Sequence, residues 1–233
     1  MKILLDARLY GPENTGLGRY AMNLVDNLAK IDRRNSYTVL LRKEYFDRLN
    51  FPPKWNKVLA DFRHYSFSEQ LSLPRIISQA KPDIVHFPHF NVPIFYSGKF
   101  VVTIHDILMH KQKGLEATTL NPISYLIKRL GYKFVFGRAV KAATKVIVPS
   151  SFVKKEVSDY YKLDKDKLVV TYEGFDEKVL PTGSSIKVLR NYSLEAPYFV
   201  YAGNAYPHKN LKRLIEATVL LNRKSNKKIS LAI

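Results

Sequence analysis

The chain has 233 residues, of which 46% are hydrophobic, so it is long enough to bury a substantial core. Lysine and arginine number 38 against 20 aspartate and glutamate, and the resulting net charge of +18 favours an anionic partner such as nucleic acid, an acidic membrane or a phosphorylated substrate. The lack of cysteine excludes disulfides and thiolate chemistry and favours a reducing compartment, and no apolar run approaches the roughly 18 residues of a transmembrane helix.

The first segment of the chain predicts a strand followed by a helix. The strand covers Ile3–Leu5, and the charged Asp6 and Arg8 follow so soon that we expect no secretory signal. In the next stretch, NTGLGRYAMNLVDNLAKID, apolar residues recur every three or four positions from Leu17 to Ile31. This spacing predicts an amphipathic helix.

Two glycines, Gly16 and Gly18, stand between this strand and this helix. Glycine lets backbone N–H groups approach a ligand closely, and the first turn of a helix carries unpaired donors, so the junction suits a phosphate or a sugar hydroxyl. It is not a dinucleotide fingerprint, because Ala21 stands three positions beyond Gly18 and no acidic residue clearly ends a second strand. A tight turn that binds no ligand is the alternative.

Short apolar runs recur along the rest of the chain at intervals filled by helical patterns. Because they do not alternate apolar with polar residues, we expect both of their faces to be buried, as in a parallel sheet covered by helices. The fold class predicted is therefore α/β, with a Rossmann-like parallel sheet and helices on both faces. The runs are Tyr37–Leu41, Asp83–Phe87, Phe100–Ile104, Lys145–Ser150, Lys167–Tyr172, Tyr198–Gly203 and Ile229–Ile233.

A change of pattern near residue 174 predicts a domain boundary. Residues 174–197 are rich in glycine, proline and serine and are the best candidate for a linker. They separate an N-terminal domain, residues 1–173, from a strand–helix–strand unit over residues 198–233. A unit this short cannot bury enough surface to stand alone, so we expect it to be the incomplete start of a second Rossmann-like domain and the chain to be a fragment.

His105 and Asp106 follow directly after the predicted strand Phe100–Ile104. In open α/β sheets, ligands bind outside the carboxyl ends of the strands, so this pair is the best catalytic candidate. An imidazole beside a carboxylate is held in one tautomer and serves as a hydrogen-bond donor or a base. The alternative is that both residues only cap the turn and the next helix.

His86 and His89 follow another strand end, and His89 is a candidate for binding an acceptor or sugar. Metal binding is disfavoured, since residues three apart on an extended chain point to opposite faces and no carboxylate triad accompanies them. We therefore expect no metal site.

Further candidates lie at other strand ends. Ser150 precedes a helix and is placed either to cap it or to bind a sugar, and Glu173 is placed either to bind sugar hydroxyls or to lie in a solvated turn. In the stretch GNAYPHKNL, Asn204, Lys209 and Asn210 lie between a strand and a helix, where a lysine and helix N-terminal amides suit a phosphate.

The order and spacing of these motifs resemble one family, the GT-B retaining glycosyltransferases of family 4. The resemblance spans essentially the whole chain and rests on TGLGRYAMNLV, KPDIVHFPHFNVP, VVTIHDI, KVIVPSSFVKKEV, VVTYEGFD and YFVYAGNAYPHKNLKRLIEA. It implies an enzyme that transfers a sugar from a nucleotide sugar to a glycan or lipid-linked acceptor with retention of configuration, in cell-envelope polysaccharide or glycolipid synthesis. The nucleotide sugar is a co-substrate, and no cofactor or metal is expected.

The resemblance also assigns roles to individual residues. Gly16 and Gly18 match the loop near the donor phosphates, His105 matches the histidine that contacts the transferred sugar, and Lys209 matches the basic residue that clamps the diphosphate. Asn204 departs from the arginine that many relatives carry at that point. The family's paired glutamates fall beyond Ile233, so we expect the chain alone to bind donor poorly.

Two questions about partners follow from the charge. Residues 124–145 combine basic with aromatic and aliphatic side chains, which suits either an anionic membrane surface or a core-packed helix with a solvated basic face. A cytoplasmic enzyme, peripheral at the inner face of the membrane, is the expectation. The alternative function is a non-catalytic basic α/β module that binds nucleic acid or polyanions, although no nucleic-acid-binding motif is recognisable.

Overall fold

The computed structural model describes residues 1–111, 121–174, 189–225 and 228–233. The chain forms two compact units, the first comprising Met1–Lys113 with Leu126–Phe175 and the second Gly114–Tyr125 with Asp176–Ile233. Most of the predicted linker, residues 175–188, lies outside the described residues.

The first unit contains a parallel sheet in the order β3-β2-β1-β4-β5-β6-β7. Its strands are β1 Lys2–Asp6, β2 Ser36–Leu41, β3 Trp55–Leu59, β4 Ile84–Phe87, β5 Phe100–Thr103, β6 Lys145–Val148 and β7 Leu168–Val170. The helices in chain order are α1 Thr15–Ile31, α2 Lys43–Arg48, α3 Phe67–Ala80, α4 Leu108–Lys111, α5 Pro122–Ala142 and α6 Ser151–Tyr161. Short 3-10 turns cover Pro12–Asn14 and Lys165–Lys167.

The second unit begins the same pattern again. Strands β8 Tyr198–Val200 and β9 Ser230–Ala232 pair in parallel, and helix α7 Leu211–Lys224 connects them after a 3-10 turn over Pro207–Lys209. A strand, a helix and a parallel strand form the repeating unit of a Rossmann-like sheet.

The sheet of the first unit is buried on both faces, which confirms the predicted α/β class. Neighbouring residues of β1 belong to different cores, because Leu4 packs in one hydrophobic cluster and Leu5 in the other. This alternation is what side chains on opposite faces of one strand produce. Leu4 packs in the cluster that also holds Phe136 of α5, while Leu5 packs in the cluster that holds Val25 of α1.

Strand β3 was not predicted from the sequence. It lies at the edge of the sheet and pairs with β2 alone among the described strands, so its outer side needs no apolar run. Asn56 and Lys57 interrupt the apolar pattern, and two prolines precede the strand. Its anchor is Trp55, whose ring stacks on Tyr37 with centroids 4.1 Å apart.

Candidate functional site

The strand order reverses direction between β1 and β4, so the loops after these two strands separate and leave a crevice at the carboxyl edge of the sheet. A small, shallow cleft lies at this point, with a volume of about 10 Å³. Its lining residues come from the ends of β1 and β4 and from the loop before α3, and they are Asp6, Arg8, Leu9, His64, Pro88, His89 and Asn91.

A buried cluster of charges supports one side of this cleft. The Arg8 guanidinium donates to Asp6 Oδ2 at 2.7 Å and to Glu69 Oε1 at 2.6 Å, and the side chains of Arg8 and Glu69 are almost completely buried. Burial by itself lowers the pKa of Arg8, but the two carboxylates outweigh it and raise the pKa above its usual range. Arg8 is therefore a permanent cation held between two acceptors.

Glu69 connects the cluster to both sides of the cleft. Its carboxylate accepts hydrogen bonds from the Asn91 amide at 2.9 Å and from the Tyr65 backbone N–H at 2.7 Å. Burial opposes ionisation, but the nearby His64, the charge of Arg8 and the hydrogen bonds from Arg8 and Asn91 lower the pKa of Glu69 to about 2. The fixed carboxylate thus orients the residues that face the cleft.

Two histidines line the cleft with different hydrogen-bonding states. His64 Nδ1 lies 3.7 Å from Glu69 Oε1, whereas its buried Nε2 has no hydrogen-bond partner in the described part of the chain. His89 Nδ1 accepts from the Asn91 backbone N–H at 3.4 Å, so the ring proton sits on Nε2. Burial lowers the pKa of His89 to about 3, so this ring is neutral near neutral pH.

His105 follows β5 at the same edge and is held by two oxygens. Its Nε2 lies 3.0 Å from the Pro88 carbonyl, and its Nδ1 lies 3.2 Å from Glu173 Oε1. A carbonyl and a carboxylate both accept hydrogen bonds, so only the doubly protonated ring makes both contacts as a donor. The Tyr20 and His105 rings pack nearly perpendicular to each other, with their centroids 4.8 Å apart. The structure therefore brings His105 together with Glu173, two residues that the sequence had named separately.

Behind His105 lies a polar network that the sequence did not indicate. The Thr103 hydroxyl lies 3.2 Å from Tyr20 Oη and 2.8 Å from His86 Nε2. Burial, together with a smaller contribution from the nearby His105, lowers the pKa of His86 to about 4. His86 is thus a neutral, structural partner that fixes the surroundings of His105.

Asp106 and Ser150 both make capping contacts. Asp106 is exposed, and its carboxylate accepts the Leu108 backbone N–H at 2.8 Å at the start of α4. Ser150 Oγ accepts the Val153 backbone N–H at 3.2 Å and caps α6. The catalytic role of Asp106 and the sugar-binding role of Ser150 stay predictions.

Gly16 and Gly18 lie inside the first turns of α1 and not in a loop before it, so their predicted position between strand and helix is wrong, and they differ in their surroundings. Gly16 is exposed, and a Cβ added there would meet no atom within 4 Å. Gly18 is buried, and a Cβ there would lie 1.9 Å from the Gly11 carbonyl oxygen. Gly18 is therefore required where the start of α1 packs against the backbone at Gly11, whereas Gly16 leaves an open approach to the first turn of the same helix.

The candidates near the C-terminus lie in the second unit. Asn204 and Lys209 are exposed. Asn210 adopts the left-handed conformation, with φ 55°, immediately before α7, and its side chain does not cap the helix. Across the described residues, no group of three or more acidic or histidine side chains is arranged to hold a metal ion.

The architecture is the Rossmann-like α/β domain of GT-B proteins. Sucrose-phosphate synthase from Thermosynechococcus elongatus superimposes with a TM-score of 0.60, at 13% identity over 99% of this chain and 61% of that one. UDP-glucose:anthocyanidin 3-O-glucosyltransferase in complex with UDP gives a TM-score of 0.50, at 11% identity over 99% of this chain and 71% of that one. At these identities the likeness concerns the fold alone.

Sequence comparison identifies the family. The profile of Glycosyltransferase Family 4 matches residues 14–179, and the chain belongs to that family. Two curated relatives are an O-antigen chain mannosyltransferase, RfbU, of Salmonella typhimurium (22% identity over 88% of this chain) and O-antigen chain mannosyltransferase B of Escherichia coli (25% identity over 95%). The chain spans 56% and 60% of the lengths of these two relatives.

Proposed function

We propose that the protein transfers a sugar from a nucleotide-sugar donor to a glycan or lipid-linked acceptor, with retention of configuration, in cell-envelope polysaccharide synthesis. The names of the two curated relatives support mannose as the transferred sugar and an O-antigen type of glycan as the acceptor. The observation that carries the proposal is the position of His105, at the carboxyl end of a central strand and held between Pro88 and Glu173.

His105 has the chemistry needed to bind the transferred sugar. Its ring is fixed by the Pro88 carbonyl on one side, while its other partner, Glu173, is about half exposed. A sugar hydroxyl that displaces the Glu173 carboxylate receives the Nδ1 proton of His105 as a hydrogen bond. A preformed donor of this kind holds the sugar in a fixed orientation while its bond to the nucleoside diphosphate breaks.

The acceptor is assigned to the cleft beside Asp6 and Arg8. His89 and the unpartnered Nε2 of His64 offer polar contacts to its hydroxyls. Within the first unit, the open turn at Gly16 is proposed to bind a phosphate of the donor. Within the second unit, Lys209 and the first turn of α7, together with Asn204 and Asn210, are proposed separately to bind phosphate. Cationic side chains and helix N-termini stabilise a leaving diphosphate without a metal ion.

The proposed location is the cytoplasm, at the inner face of the cell membrane. None of the described helices combines the length and the apolar character needed to span a bilayer. Lipid-linked acceptors are presented at a membrane surface, which makes a peripheral position useful to the reaction.

Replacement of His105 tests the reaction. In the complete gene product, His105→Ala should lower kcat by on the order of 100-fold, the effect expected when the sugar is no longer held in its reactive orientation. The measurement is transfer of radiolabelled sugar from a panel of nucleotide sugars to O-antigen oligosaccharides. Glu173→Gln, which keeps an acceptor beside Nδ1, is the matched control and should retain most of the activity. Unchanged turnover in His105→Ala, or an unfolded variant, would contradict the assignment.

Gly16→Ala tests the donor site separately. The added methyl meets no protein atom, so weaker calorimetric binding of a nucleoside diphosphate would report contact with the ligand itself. Equal affinity would remove Gly16 from the donor site while leaving the transfer reaction in place. Binding of nucleic acid or polyanions, with no binding of nucleotide or glycan, would instead support the non-catalytic module.

A further inference from the structure

Helix α5 carries two apolar faces, and the first unit covers only one of them. Phe136, Ala139 and Val140 point into the core and are fully buried. On another side of the same helix, four large apolar side chains are each between 56% and 64% exposed, and we call them the α5 stripe. The stripe consists of Leu126, Ile127, Leu130 and Phe134.

The spacing of the stripe shows that it is one continuous surface. At roughly 100° per residue, the four positions fall within an arc of about 100° along two turns of the helix. Phe136 and Ala139 lie on the opposite side of the helix by the same rotation. The four exposed side chains are therefore not partly buried members of the core, because other residues of α5 make the contacts with the core.

The loop beside α5 extends this surface. Arg138 donates to the carbonyl oxygens of Pro93 at 3.3 Å and Tyr96 at 2.7 Å, and these bonds hold the loop against the helix. Phe95 lies between the two bonded residues and is exposed. A fifth large apolar side chain is thus held at the side of the helix from which Arg138 projects.

The charge on α5 is entirely basic. The helix contains Lys128, Arg129, Lys133, Arg138 and Lys141 and has no acidic residue over its 21 positions. Lys128, Lys133 and Lys141 are exposed. By helical rotation, Lys133 flanks the stripe and Lys141 continues its line towards the C-terminal end.

An exposed apolar stripe with lysines beside it and no acidic residue on the helix offers the apolar and electrostatic contacts by which a protein surface binds an anionic bilayer. A second copy of the chain is a poor occupant, because it would bring an equally basic helix on a protein whose net charge is +18. We infer that the α5 stripe, with Phe95 and the lysines beside it, docks the protein onto an anionic membrane surface. The inference deepens the peripheral location proposed above but does not depend on sugar transfer.

Vesicle binding tests this inference without donor or acceptor. The wild-type chain is sedimented with phosphatidylethanolamine vesicles containing about 30% phosphatidylglycerol and with pure phosphatidylcholine vesicles. We expect binding to the anionic vesicles to be at least about tenfold tighter, and to weaken in about 0.5 M salt because the lysine contacts are screened. Absence of binding to anionic vesicles would overturn the inference.

Two variants separate the contributions of the stripe and of charge. Leu130→Ser/Phe134→Ser should weaken anionic vesicle binding by about tenfold or more while leaving the melting temperature unchanged, since both side chains are exposed. Lys133→Gln/Lys141→Gln should remove the preference for anionic over neutral lipid. The matched control is Phe67→Ser/Leu71→Ser on α3, which removes two other exposed apolar side chains and should bind as wild type does.

Two further outcomes would overturn the inference. Equal loss in the α3 control would show non-specific hydrophobic adsorption and would overturn the inference. A concentration-dependent dimer in sedimentation velocity that the Leu130→Ser/Phe134→Ser variant abolishes would show that a second copy covers the stripe. Because neither readout uses a nucleotide sugar, failure of docking is distinguishable from failure of the transferase assignment.

Discussion

Replacing Arg8 with methionine measures how much the buried ion cluster stabilises the fold. Arg8 lies 2.7 Å from Asp6 and 2.6 Å from Glu69, and neither Arg8 nor Glu69 exposes more than 1% of its side chain. Methionine fills much of the space of the arginine stem but leaves two buried carboxylates without a countercharge. Removing one partner of a buried pair costs about 3–5 kcal/mol, and we expect Arg8→Met to lower the free energy of unfolding by about that amount.

Urea unfolding at neutral pH measures this loss. The control is Arg42→Met, because Arg42 pairs with Asp61 at 3.2 Å on the surface, where both side chains are nearly half exposed. A pair of that kind contributes about 0–1 kcal/mol. A loss in Arg8→Met no larger than the loss in Arg42→Met would refute the reasoning.

The pH dependence supplies an independent signature of the same cluster. The folded-state pKa of Glu69 is about 2, below the ordinary value of 4.5, so its contribution to stability is present above pH 4.5 and is lost as the pH falls towards 2. Without Arg8 the pKa of Glu69 rises, and protonation relieves the uncompensated charge. The difference in unfolding free energy between wild type and Arg8→Met should therefore shrink as the pH is lowered from about 7 to about 5.

Three further predictions concern the surroundings of the site. Gly18→Ala should lower the free energy of unfolding by about 1–3 kcal/mol, because the added methyl overlaps the Gly11 carbonyl. Gly16→Ala should change it by less than about 0.5 kcal/mol, and urea unfolding of the two variants makes the comparison. Burial lowers the pKa of His86 from 6.5 to about 4, so as the pH falls the unfolded chain binds a proton at this histidine before the folded chain does. The free energy of unfolding should therefore fall between about pH 6.5 and pH 4, and His86→Asn should reduce this fall when unfolding is measured at a series of pH values. Ser150→Ala should cost about 1 kcal/mol by thermal unfolding through loss of the α6 cap, and no loss would contradict the capping contact.

Local patterns in the sequence were sufficient to predict the architecture and the position of some of the site residues. Apolar runs without alternation predicted the parallel sheet, since strands covered by helices on both faces need apolar side chains on both. The position of His105 and Glu173 after two such runs predicted that both lie at the carboxyl edge, because all strands of a parallel sheet end there. Strand β3 escaped prediction because an edge strand with Asn56 and Lys57 in its interior lacks that pattern.

Some features required the tertiary structure because their physical cause joins distant parts of the chain. The pairing of Arg8 with Glu69 spans 61 residues, and nothing local to either residue indicates a buried charge. The same holds for the Nε2 of His64, which has no partner in the described part of the chain, and for α5. The sequence of α5 suited a core-packed helix equally well, and the fold leaves Leu130 and Phe134 exposed. The sequence by itself thus determined most of the strands of the sheet, although not β3, and which polar residues follow them. Tertiary structure alone decided which charges lose water, which histidines stay neutral and which apolar face stays uncovered, because burial depends on neighbours brought together only by folding.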